Sequence, residues 1–199
     1  NSDKYTYLNY GGIVYYKTAI VFDYLMAYLG EDVYDKCMRT YFKRWQYKHP
    51  QPEDLRSVFE DVSGKNLAWF FDDVIETIKQ LDYAIVGMKK ENTDLLITLE
   101  NKGGITGPVV MSGIKDGNSM NPLWIEGFKG KKTISYLNGD YDHVRIDYNG
   151  DMPETNRSNN IMRTKGIFKK YEPLKLQVLG SMYHPEKTQI FFHPKMNYN

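Results

Sequence analysis

The feature that most constrains the fold is a change of period near Leu81. From Tyr15 to about Lys79 apolar residues recur at helical spacing, and after Leu81 they alternate. One element cannot satisfy both patterns, because a helix gathers residues i, i+3 and i+4 on one face whereas a strand gathers i and i+2. The chain therefore reads as an α+β fold, an N-terminal helical layer followed by β structure.

In the first part, Ile20, Val21, Tyr24, Leu25, Tyr28 and Leu29 form one stripe, with Gly30 where a left-handed C-cap falls. Glu31 and Asp32 suit the positive end of a second helix, whose stripe is Val33, Cys37, Met38, Tyr41, Phe42 and Trp45. The segment His49-Pro50-Gln51-Pro52 breaks it. Pro52 at a first helical position opens a third helix, with Leu55, Val58, Phe59 and Val62 inward and Gly64 as the stop. Asn66 can cap a fourth that carries Leu67, Phe70, Phe71, Val74 and Ile78. The first part thus holds about four short amphipathic helices.

Past Leu81 the candidate strands are 83–89, 95–100, 109–114, 123–128, 133–137 and 143–148. Turn signals such as Gly103-Gly104, Asp116-Gly117-Asn118 and Asn138-Gly139-Asp140 separate them, which is the mark of an immunoglobulin-like antiparallel β-sandwich. The stretch 149–160 has turn chemistry throughout, so a boundary is expected near its end. The expected organisation is a helical part over 1–80, a sandwich over 81–160, and a linker plus the start of a further segment over 161–199. A strand-like run at 188–194 with little after it, and a start already rich in aromatics, read as cuts in a longer protein.

Lys+Arg 26 against Asp+Glu 25 leaves a formal charge of +1, so no long-range field favours nucleic acid or an acidic membrane surface. No run reaches the roughly 20 apolar residues that a transmembrane helix needs. Tyr 17, Phe 9 and Trp 3 supply large amphipathic surfaces suited to sheets and to a peptide-binding cleft. The lone Cys37 excludes an internal disulfide framework, and its place on an apolar stripe makes it a small buried hydrophobe rather than a nucleophile. Cell envelope or export is the expected location, ahead of the cytoplasm.

His49, His143, His184 and His193 never occur in a metal-ligand spacing, so no metal site built from these residues is expected. Asp147-Tyr148-Asn149-Gly150-Asp151 has its glycine two positions too early for a calcium loop and reads as a polar turn. Asn156-Arg157-Ser158 fits a glycosylation acceptor and carries no weight by itself. No G-x-S-x-G or phosphate-binding glycine loop is present.

One segment goes further. Tyr15-Tyr16-Lys17-Thr18, opening an apolar helix that ends in Leu29-Gly30, resembles the Y-x-K-G segment of the aminopeptidase N family of zinc metallopeptidases, the gluzincins. The resemblance continues through Tyr41-Phe42, Pro52-Glu53-Asp54-Leu55, Val58-Phe59-Glu60 and 63–71, and Thr18 departs from the family's glycine. It implies that the chain is the C-terminal part of a catalytic domain plus the β-sandwich domain that follows. It also implies that the parent is a zinc aminopeptidase acting on peptides, with Tyr15 as the catalytic tyrosine that steadies the oxyanion. Tyr10 would line the same cleft. Lys17, about 200° round the helix from Tyr15, is expected to form a structural ion pair.

The family's H-E-x-x-H helix and later glutamate are absent from this sequence, so zinc belongs to the parent and none is expected in this fragment, which should be inactive alone. The alternative is a non-catalytic binding or scaffold module derived from the same fold.

Overall fold

The computed structural model describes residue 6 and residues 10–91, 93–137, 139–166, 169–170, 175–178 and 189–192. The first helix starts earlier than its apolar stripe suggests. A π-wound segment, Gly11–Lys17, runs without a break into α1, Thr18–Leu29, so Tyr15 lies inside the helix rather than ahead of it. Val21, Tyr24, Leu25, Tyr28 and Leu29 are buried as their spacing requires, while Ile20 stays exposed.

Gly30 turns the chain at φ 83 into α2, Glu31–Trp45. Only Cys37 of the expected α2 stripe is buried, and Phe42 is 66% exposed. The helix packs against α1 and more extensively against α3, Pro52–Ser63, where Tyr34 meets the edge of Phe59 with ring centroids 5.7 Å apart. The start of α3 is fixed by Pro52 and by a reciprocal cap in which the Gln51 amide donates to Asp54 Oδ2 at 2.8 Å. Gly64 ends α3 in the left-handed conformation expected of it, at φ 67.

Asn66 caps the fourth helix, accepting from the Ala68 amide at 2.9 Å. That helix is π-wound over Trp69–Ile75 and buries Trp69, Phe70, Phe71 and Val74. It stops before Ile78, expected inward but 98% exposed.

Seven strands follow: β1 Tyr83–Glu91, β2 Asp94–Asn101, β3 Val109–Lys115, β4 Asn118–Ile125, β5 Gly130–Leu137, β6 His143–Ile146 and β7 Ile161–Arg163. They form two antiparallel sheets, ordered β1-β2-β5 and β4-β3-β6-β7. This is an immunoglobulin-like sandwich. Ile97 and Leu99 of one sheet and Val109, Met111, Val144 and Ile146 of the other supply fully buried side chains to its core. Edge strands β4 and β5 start several residues before their expected positions. Their outer ends, mostly polar in β4 and bearing Lys131 and Lys132 in β5, lack alternation because an edge presents less surface to bury. Strand β6 ends early because Asp147 adopts a positive φ of 50. A short parallel pair, β8 Lys175–Val178 and β9 Gln189–Phe192, lies beyond the sandwich.

The helical layer and the sandwich share one core. Tyr24 and Tyr28 of α1, Trp69 of the fourth helix and Trp124 of β4 meet with ring centroids 5.0–6.4 Å apart. The Tyr24 hydroxyl donates to the Pro108 carbonyl and the Tyr28 hydroxyl to Glu126 Oε1 at 2.8 Å. Close approach here requires glycine: a Cβ on Gly107 would lie 2.7 Å from the Tyr24 hydroxyl oxygen and 2.9 Å from the Trp69 ring.

Candidate active site

The π-wound opening of the first helix carries Tyr15 and Lys17, with Tyr10 immediately before it. Its winding widens the turn, and Tyr15 closes it by accepting the Thr18 amide on its carbonyl. Tyr15 itself is 64% exposed, and Tyr10 meets its ring edge-on with centroids 5.8 Å apart. The two rings therefore stand together on an open face. Among the described residues the Tyr15 hydroxyl has no hydrogen-bond partner, which leaves a donor directed at whatever meets that face.

Lys17 points away from Tyr15. Its ammonium donates to the Thr77 carbonyl at 3.3 Å, where the fourth helix ends. A helix C-terminus carries partial negative charge on unpaired carbonyls, so a cation is favoured there. The sequence pointed to a carboxylate, and the described partner is this carbonyl. Thr77 and Lys79 pin the same helix end through the Asp73 carbonyl and the Asp73 carboxylate respectively.

Tyr24 and Tyr28, on the same helix as Tyr15, have different surroundings. Burial pushes the Tyr24 phenol well above its ordinary value, and burial with the Glu126 carboxylate does the same to Tyr28. The Lys65 ammonium sits over the Tyr28 ring at 4.1 Å. These phenols are committed to the joint between layers.

Among the described residues no three His, Cys, Asp or Glu gather to hold a metal ion. Among the described residues the donor set does not fit a zinc site. His184 and His193 lie outside the described residues. No helix among the described residues is long and apolar enough to cross a membrane.

Two carboxyl groups have surroundings that the sequence did not show: Asp147 is buried and Glu154 is half-buried. Asp147 accepts the Met152 amide at 3.1 Å and faces Arg157 Nη2 at 3.4 Å, so the acidic turn is held from inside by its first residue. Glu154 accepts the Tyr83 amide at 3.0 Å and the Asn160 side chain. Both sit in or beside a stretch whose composition reads as solvated turn, and no local signal marks them because Tyr83 of β1 holds Glu154 and the Asp147 amide is bonded to Val110 of β3.

The fold and site together define a helical layer that presents a paired tyrosine face and is braced from behind by an immunoglobulin-like sandwich. Residues 3–74 match the Peptidase family M1 domain. The chain is 36% identical over 70 residues to aminopeptidase N of Streptomyces lividans, covering 35% of this chain and 8% of that protein. It is 33% identical over 87 residues to aminopeptidase M1-C of Oryza sativa subsp. japonica, covering 43% and 10%. Similarity to aminopeptidase M1-B of the same plant reaches 145 residues at 28% identity, covering 69% of this chain and 15% of that one. The chain thus spans about a tenth of the length of the curated relatives it matches. Among solved structures, Legionella pneumophila aminopeptidase A in complex with aspartic acid superposes with a TM-score of 0.56 at 15% identity, over 78% of this chain and 18% of that one. The chain is thus similar, within residues 3–74, to the Peptidase family M1 domain, and its similarity to aminopeptidases of the N and M1 kind extends over part of the sandwich.

Proposed function

We propose that this chain is the part of a zinc aminopeptidase that steadies the oxyanion during peptide-bond hydrolysis, with Tyr15 as the donor. The observation that carries the proposal is the exposed Tyr15 phenol, held on a helical turn within the segment matching the M1 domain. A neutral phenol donates a hydrogen bond to a developing negative charge without adding charge of its own. The turn holds it in place before the reaction, so little ordering is left to do in the transition state. Tyr10, edge-on to Tyr15, limits the directions the phenol can take and lines the same face.

The zinc ligands of the family belong to sequence outside this chain, which is therefore inactive alone. A test in the whole parent protein is Tyr15→Phe, which keeps the ring and removes the donor. Turnover should fall by about 10²–10³ with KM nearly unchanged. An unchanged turnover returns Tyr15 to packing. Assayed by itself on an aminoacyl anilide, the chain should show no hydrolysis, and turnover by the isolated chain would sink the proposal that it supplies only the donor.

A further inference from the structure

The turn that carries Tyr15 is poorly supported by its own sequence. It opens with Gly11 and Gly12, and glycine is the least favourable helix residue after proline. A Cβ on either would meet nothing within 4 Å, so neither is there to admit a close neighbour. Burial adds little, because Val14, Tyr15 and Tyr16 are all exposed. On the inner side, Gly12, Tyr16 and Lys17 line a cavity of about 360 Å³ together with Val74, Leu81 and Pro153, so part of that face meets space instead of side chains.

What ties the turn to the body of the fold is Lys17, whose ammonium reaches across 60 positions of sequence to the Thr77 carbonyl at 3.3 Å. Among the described residues no other side-chain hydrogen bond leads from 10–17 to another element. The far end of this tie is firm. Thr77 follows the fourth helix, which buries Trp69, Phe70, Phe71 and Val74, and its amide and hydroxyl bond to the Asp73 carbonyl at 3.2 and 2.6 Å. Tyr15 lies two residues before Lys17 in the same turn, so fixing one fixes the backbone of the other.

We propose that Lys17 is a positioning residue for Tyr15: its bond to the Thr77 carbonyl holds the π-wound turn in one place and so sets where the phenol donor stands. The inference rests on the donor role of Tyr15 given above. A donor stabilises developing charge only if it stands where that charge appears, and a displacement of about 1 Å can cost about 10²-fold in rate. Lys17 acts through the backbone and touches no reacting atom. Its loss should therefore lower turnover and leave substrate affinity alone.

The test is steady-state kinetics of the whole parent protein, with Tyr15→Phe measured alongside. Lys17→Met keeps the aliphatic stem and removes the donor, and should lower kcat by about tenfold or more with KM changed by less than about twofold. Lys17→Arg again offers N–H donors to the carbonyl and should restore kcat to within about threefold. Because Lys17 acts through the phenol, adding Lys17→Met to Tyr15→Phe should lower kcat by less than about twofold further. An unchanged kcat for Lys17→Met, a loss that arginine does not restore, or a loss that multiplies with that of Tyr15→Phe overturns the tether and leaves the donor role standing. An unchanged kcat for Tyr15→Phe overturns both. Should Lys17→Met fail to fold, amine labelling of the unsubstituted parent decides: modification of Lys17 at least about tenfold more slowly than a free lysine side chain supports the tether, and modification at the free rate overturns it.

Discussion

Along the one helix that runs from Gly11 to Leu29, the two ends carry tyrosines in opposite surroundings. Tyr24 and Tyr28 are buried at the joint with the sandwich, with hydroxyls bonded to Pro108 and Glu126 and phenols made hard to ionise by burial. Tyr15 and Tyr16 stand 64% and 73% exposed on the π-wound opening. The residue type is the same and the backbone is continuous, so the difference lies in what packs against each turn. A buried phenol is consumed by packing and by its one partner. An exposed phenol on an ordered turn keeps its donor for a later contact.

The largest effect should come from the buried end. Phe70→Ala removes a ring that touches Phe22, Trp69 and Phe71 inside the core, and should destabilise the chain by about 3–5 kcal/mol in denaturant unfolding. Tyr24→Phe keeps the ring but strips the Pro108 carbonyl of its donor, at a cost of about 1–3 kcal/mol in the same measurement. Tyr15→Phe should change stability by less than about 0.5 kcal/mol, because its hydroxyl leaves no described partner behind. If Tyr15→Phe destabilised the chain as much as Tyr24→Phe, the contrast between the two ends would be gone and Tyr15 would be a packing residue. Core substitution at Phe70 with no loss of stability would instead mean that the helical layer is loosely packed.

Much of this contrast was legible in the residues. The stripe Val21, Tyr24, Leu25, Tyr28 and Leu29 follows helical spacing, and all five side chains are buried. Pro52, Gly64 and Asn66 mark helix ends by local chemistry, which needs no partner to be read. Spacing was a poorer guide where an element packs on its neighbours over a narrow face. Met38 and Phe42 fit the stripe of α2, yet both stay exposed, and Cys37 alone of that stripe is buried. β7 is three residues long, too short for alternation to reveal, and exists because β6 supplies a ladder.

Local chemistry and periodicity determined the α-to-β order, most of the helix caps and the segment that resembles the peptidase motif, because each depends on residues a few positions apart. Tertiary structure alone decided which tyrosines are buried, where Lys17 finds its partner, and how Glu154 and Asp147 are bonded in or beside a turn-rich stretch. Burial and long-range hydrogen bonding are set by surfaces that come from distant parts of the chain, and those surfaces meet only once the helical layer has docked on the sandwich.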